Sequence, residues 1–568
     1  MSYGIDNVND RKGLDDMSGL REPSLGPIVG HTTAISCRLW IRGADLTDRG
    51  SSLAEDRRTV GVLAVMTKNR RSIPIANRPA FYFRLHREFD RTGTFNLGVD
   101  DTFRMGQSEV YTLDPDTIYT VRVGSLALDD VADNDEMVES AELLRRLPPA
   151  HTWIDDLMAL DEAKSEAVFR TFPATPDTGH VAGPLSFLIG SCHYPGMFWK
   201  QKRADRIFKP IFDHYSDNPD GADPRFILIM GDQIYADMFN RLIPIGLADT
   251  FEEFQERYLT AFGSPNMRQL LRHVPTYMIL DDHEIEDNWT QDRIEDRFKR
   301  VVFNLAIDAY RSYQWSHGPR TYGEHLYYHF DCGGYPFFVV DGHTQRYKDD
   351  DPESLDDNHL LGRPSFPGDD PAQLEVLCDW LSNQQRQRGS VPKFIVTSTA
   401  FVPNAIATTK NDRQKHRSDS WAAYPMTRRY LLRRIIDNNI QNVVFLSGDL
   451  HCSNVAEISF RGTRSAERLK ACSITSSAFY WPFPFSDGEP SHYVHDSTDS
   501  ETRDTFEITD QIVMDYQAYN FTQKDNFCQV EINPDANEIV VRVKDRDGQP
   551  VQKGDQALVS RLRLAPWS

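Results

Sequence analysis

Between residues 24 and 172, apolar and polar positions alternate in short runs: SCRLWIRG, TVGVLAVMT, AFYFRLHREF, IYTVRVGSL and AVFRTFP. A period of two, rich in β-branched and aromatic residues and broken by turn residues, predicts strands. Leu113-Asp-Pro-Asp-Thr-Ile-Tyr119 followed by a strand has the pattern of a tyrosine corner, a feature of Greek-key sandwiches. A β-sandwich is therefore expected over 24–172, preceded by a polar arm at 1–23.

From about residue 185 the pattern changes. LSFLIG, RFILIMG, TYMIL, PFFVVD, KFIVTST and NVVFLSG are almost wholly apolar. Strands apolar on both faces belong in sheets covered on both sides. Longer helical stretches separate them. One is predicted over 371–388, with Asp370 as N-cap, Pro371 at N1 and Gly389 past the end; Leu374, Leu377, Cys378 and Leu381 share a face. Another repeats Phe298, Val302, Leu305 and Ala309 at spacings of three and four. Residues 173–568 read as a layered α/β domain. Its aromatic and Ser/Asp-rich stretch at 479–525 is expected to be a surface excursion that walls a site. FCQVEI and EIVVRVKD around NPDAN are expected to form a closing hairpin.

Composition narrows the function. The net charge of −21, with no basic run, argues against a nucleic-acid partner. An anionic substrate would meet a repelling global field, so local positive charge must come from cations or a few arginines. No apolar run reaches the ~18 residues that span a bilayer, and the start MSYGIDNVNDRKGLDD has no signal-peptide core. No integral membrane segment and a cytoplasmic location are expected. The seven cysteines are odd in number and form no CxxC, which points away from a disulfide framework or structural zinc.

Chemistry gathers where the apolar runs stop. LSFLIG leads to Ser191-Cys192-His193, RFILIM to Gly231-Asp232-Gln-Ile-Tyr235, and TYMIL to Asp281-Asp282-His283-Glu284. PFFVV leads to Asp341-Gly342-His343, and NVVFLS to Gly448-Asp449-Leu450-His451. Carboxyl ends of strands in open α/β sheets form the ligand crevice. A single Asp after a buried strand is usually a turn or cap residue. Five such ends together point to one site. The Asp-Asp-His-Glu run places several titratable groups side by side, and a cation relieves their mutual repulsion. Carboxylates, imidazole, one thiolate and one phenolate form a hard-to-borderline donor set. Two ions ~3.5–4 Å apart, bridged by one carboxylate, suit phosphoryl chemistry.

The motifs GSCHYPG (190–196), GDQIYAD (231–237), DDHEIEDNW (281–289), DGHTQRY (341–347) and SGDLHCSN (447–454), with LGPIVGHTT at 25–33, resemble those of PhoD-type alkaline phosphatases, within the calcineurin-like metallophosphoesterase superfamily. The resemblance implies a four-layer α/β/β/α catalytic domain after an N-terminal β-sandwich. It implies that Cys192, Asp232 and Tyr235 hold one metal, Fe3+. Asp232 would bridge to a second, Ca2+, which takes ligands from Asp282 and Asn288, while Asp449 and His451 close the site. It gives His283 a phosphate contact and a proton for the leaving group, and Arg346 a phosphate contact, although relatives carry an arginine where this chain has His343.

The expected activity is hydrolysis of a small-molecule phosphate ester by a metal-bound hydroxide. A phosphodiesterase or phospholipid-cleaving specificity on the same site is the first alternative. A non-catalytic, metal-stabilised binding protein is the second; a structural site saturates its metal with protein ligands, against which the open, carboxylate-rich set argues.

Overall fold

A computed structural model of the chain describes residues 19–45, 58–98, 111–128, 140–176, 182–195, 201–216, 223–238, 246–321, 325–348, 355, 358–366, 368–406, 420–482 and 489–567. The arm expected at 1–23 lies mostly outside the described residues. Two compact units emerge. The first comprises Met1–Pro173, Arg268–Thr276 and Arg311–Gly318; the second comprises Ala174–Met267, Tyr277–Tyr310 and Pro319–Ser568.

In the first unit the alternating runs form antiparallel strands. Leu25–Thr32, Ser36–Arg42 and Thr92–Gly98 make a three-stranded sheet. Thr59–Lys68, Arg71–Ser72, Ala80–Arg84, Ile118–Ala127 and Glu166–Arg170 make a five-stranded one. Because side chains alternate across a strand, Leu63 and Val65 join Leu39, Ile41 and Phe95 in one core. Val60, Val62 and Ala64 of the same strand face a second cluster with Leu143, Ile154 and Leu157. Truncating Leu63 to alanine would cost about 2–5 kcal/mol. The Tyr119 hydroxyl accepts the Asp114 N–H at 2.9 Å, the bond that defines the expected corner.

The second unit carries two mixed sheets. One runs Thr276–Met278, Pro224–Ile229, Leu185–Gly190, Asn526–Asn533, Glu538–Asp545, Val559–Arg563 in spatial order. Leu185–Gly190 pairs parallel with Pro224–Ile229 and antiparallel with the closing hairpin. The other sheet has eight strands. Tyr335–Val339, Lys393–Val396, Val443–Ser447 and Ala471–Thr475 are parallel at its centre. Aromatic rings join the two sheets: Phe187 meets Phe337 and Phe394 edge to face, with centroids 5.4 and 5.5 Å away. Helices Gln373–Arg388 and Pro425–Asp437 bury Leu377, Leu381, Leu431 and Ile435 with Phe338, Ile395 and Phe445 of the eight-stranded sheet.

Three local readings change. The helix expected from Pro371 starts at Gln373: Ala372 is the N-cap in extended conformation (φ −64°, ψ 157°), and the Glu375 carboxylate accepts its N–H. In the helix Arg297–Tyr313, Phe298 is 52% exposed, and the buried face is Val302, Ala306, Ala309 and Tyr310. The stretch 479–525 is not wholly an excursion. Val513–Thr522 pairs along Ser453–Arg461, with Met514, Tyr516 and Ala518 buried on alternate positions. Among the described residues, no helix is long and apolar enough to cross a membrane.

Candidate metal centre

Strand ends from both sheets of the second unit supply the site. Gly231 lets two of them meet: its φ is +101°, and a Cβ there would lie 2.4 Å from Asp281 Oδ2. Glu284 ties the same ends together, its carboxylate accepting the backbone N–H groups of Gln233 at 2.7 Å and Asp281 at 3.0 Å. Cys192, Asp232, Asn288, Asp449 and His451 all adopt left-handed backbone, with φ between 50° and 65°. That conformation costs a non-glycine residue roughly 1–2 kcal/mol. It recurs at five of the expected ligands, and strained backbone of this kind gathers at functional sites.

Two groups of donor atoms converge. Those of Cys192, Asp232 and His451 lie within 4.8 Å of one another, as do those of Asp232, Asp282 and His283. Asp232 belongs to both, the position a bridging carboxylate takes. Tyr235 adjoins the same carboxylate, donating to Asp232 Oδ2 at 3.0 Å. Asp232 Oδ1 and His451 Nε2 are buried without a hydrogen-bond partner. An unsatisfied buried polar atom costs about 1–3 kcal/mol, and a cation between these atoms would remove the penalty at both. The donor set therefore fits a bound metal.

The electrostatics agree. Burial, and then Asp281, push Asp232 well above the usual carboxylate range. Burial and Asp282 push Asp281 up to about 8. Burial and Asp232 raise the Cys192 thiol and the Tyr235 phenol well above their usual values, with Asp449 adding to the effect on Cys192. Without positive charge these groups hold protons; a cation would release them as ligands. Burial, then repulsion from His283, lowers His451 to about 3, leaving the neutral imidazole that binds metals. His283 goes the other way. Burial opposes its charge, but Asp282, Asp232 and Asp237 outweigh it and raise it well above its usual value. For Asp282, burial pushes upward and is outweighed by His283, His343 and Arg346, so its carboxyl is lowered.

The Asn288 backbone N–H donates to Asp282 Oδ2. Arg346 is fully buried, and its Nε and Nη2 donate to the Trp289 carbonyl. In this arrangement it supports the 281–289 turn and draws down the Asp281 and Asp282 carboxyls.

Other residues of the site went unassigned in the sequence. Asp237 holds His283 Nδ1, with its two oxygens at 2.9 and 3.0 Å. The Ser477 hydroxyl donates to Cys192 Sγ at 3.1 Å and accepts the His451 N–H at 3.0 Å. Trp481 stacks on His451, ring centroids 4.0 Å apart. The GDQIYAD motif did contain Asp237, and Ser477 follows a further strand, Ala471–Thr475, whose serine and threonine weaken its apolar signal.

A family model for PhoD-like phosphatases matches residues 198–538. Alkaline phosphatase D of Bacillus subtilis (strain 168) is 26% identical over 218 residues, 36% of this chain and 36% of that protein. This match thus spans about a third of the curated relative's length. A solved structure described as "Structure of PhoD" shares the fold, with a TM-score of 0.59 at 16% identity over 95% of this chain and 89% of that one.

Proposed function

The chain belongs to the PhoD-like phosphatase family, and on that premise we propose that it hydrolyses small-molecule phosphate esters at a two-cation centre in which Asp232 would help to hold both ions. The observation that carries this reading is the membership of Asp232 in both donor groups, with one oxygen buried and unpartnered. Cys192, Tyr235 and His451 with Asp232 suit Fe3+; the oxygen donors of Asp282 and Asn288 suit Ca2+, and Asp449 completes the anionic wall beside Cys192. Bound there, such cations would supply an acidified water as nucleophile and neutralise charge on the phosphoryl oxygens.

The protein's own groups do the rest. Asp237 fixes the imidazole of His283 through Nδ1. Nε2 is then the nitrogen that hands a proton to the leaving oxygen. Arg346, bonded to Trp289, acts as a positioning residue for the turn that carries Asp282 and His283. The paired sheets and their helices support a four-layer α/β/β/α catalytic domain, and the two facing sheets of the first unit support a β-sandwich.

The test is Asp232→Asn, which keeps the shape and removes the shared charge. Bound metal should drop and turnover should fall by orders of magnitude. A folded variant with near-normal metal and turnover contradicts the two-cation reading.

A further inference from the structure

Apart from the metal centre, the second unit has a half-open cavity of about 570 Å³ whose wall includes His193, Lys202, Asp205, Leu259, Thr260 and Pro265. It contains none of the candidate metal ligands. At ~30 Å³ per water this space would hold on the order of twenty waters, against a wall that is largely apolar. Cavities of this size and character take small organic molecules.

Its polar groups are unevenly used. The His193 side chain is buried, and neither ring nitrogen makes a well-aligned hydrogen bond among the described residues, although the Ala204 backbone lies beside the ring. Phe208 packs against the ring at 4.7 Å between centroids and holds it in place. The Asp205 carboxylate, by contrast, is occupied: it accepts from the Ser264 hydroxyl at 2.7 Å and from the Asn266 and Met267 N–H groups, each at 3.0 Å. Lys202 is exposed. The cavity thus offers an imidazole N–H and an ammonium as donors, while its carboxylate is already spent on the protein.

We propose that this cavity is a second, non-catalytic binding site for a small organic carboxylate with an apolar body, its head group between His193 and Lys202 and its body against Leu259, Thr260 and Pro265. The proposal stands apart from the phosphoesterase reading, because occupancy is measured without turnover.

The test titrates sodium octanoate into the metal-loaded full chain by calorimetry, with saturation-transfer NMR on the octanoate methylenes. Octanoate should bind at one site with a Kd of about 1 mM or tighter. Thr260→Trp, which fills the cavity, should abolish binding, and Lys202→Met should weaken it about two- to fivefold. Bound metal should be unchanged in both variants. No binding at ~10 mM octanoate, an order above that Kd, overturns the proposal and leaves a solvent-filled space. Binding that both variants leave intact also overturns it. Should Thr260→Trp fail to fold, Lys202→Met, at an exposed position, decides the matter alone.

Discussion

Replacing Asp237 by asparagine separates proton transfer from metal binding. Both oxygens of Asp237 face His283 Nδ1, at 2.9 and 3.0 Å, and Oδ2 also accepts the Asp287 N–H at 2.7 Å. The pair is largely buried, with side chains 10% and 14% exposed. Asparagine leaves one oxygen for two N–H donors and turns an NH2 toward one of them. A hydrogen bond to a charged group contributes about 1.5–3 kcal/mol, so the loss corresponds to roughly 10- to 150-fold in kcat/KM. Because Asp237 lies in neither donor group, bound metal should stay constant. Because Asp237 is among the charges that raise His283, its loss should also move the basic limb of the pH profile to lower pH. The assay compares kcat/KM for an alkyl phosphate ester with that for a p-nitrophenyl ester, whose leaving oxygen needs no proton. The alkyl ester should carry nearly all of the loss. Equal losses on both esters would refute the proton-donor role, and so would no loss on either.

Two further outcomes follow from the same cluster. A thiolate and a phenolate on ferric iron absorb visible light by charge transfer, so the protein should be tinted; Tyr235→Phe should bleach or shift the band and Cys192→Ser alter it separately, whereas a colourless, iron-free and fully active preparation removes iron from the account. Chelated protein should lose stability as pH rises: the folded state keeps a proton on Asp281 to about pH 8 and on Asp232 well above the usual range. The unfolded chain releases those protons near pH 4, so the contribution is full below that pH and is lost as pH climbs through about 8. Melting temperatures of chelated and metal-loaded protein should therefore diverge from pH 5 to 8, and parallel profiles would count against the carboxylate cluster as the cation site.

Much of the candidate site was legible because its residues follow almost wholly apolar strands. A Cys or Asp two residues after LSFLIG, RFILIM or NVVFLS stands out against the run before it. What stayed hidden acts through another residue. Asp237 matters through its bond to His283, and Ser477 through Cys192 and His451; nothing local in the sequence marks either bond. The strand before Ser477 reads ACSIT: its Thr475 hydroxyl pairs across the sheet with Ser447 at 3.0 Å, while the buried Ser473 hydroxyl has no partner among the described residues. Val513–Thr522 was similarly obscured, since Asp515, Gln517 and Asn520 break the apolar signal of a strand whose alternate residues are buried. The grouping of Arg268–Thr276 and Arg311–Gly318 with the first unit depends on long-range packing, beyond the reach of periodicity.

The central claim is that one carboxylate, Asp232, organises two cations for phosphate-ester hydrolysis. Elemental analysis of the purified full chain, run beside turnover of a panel of phosphate mono- and diesters, tests it most directly. The account predicts two metal equivalents per chain, iron and calcium, with hydrolysis that disappears on chelation and returns on reloading. Full turnover in metal-free protein, or two bound metals with no turnover of any ester in the panel, would contradict it.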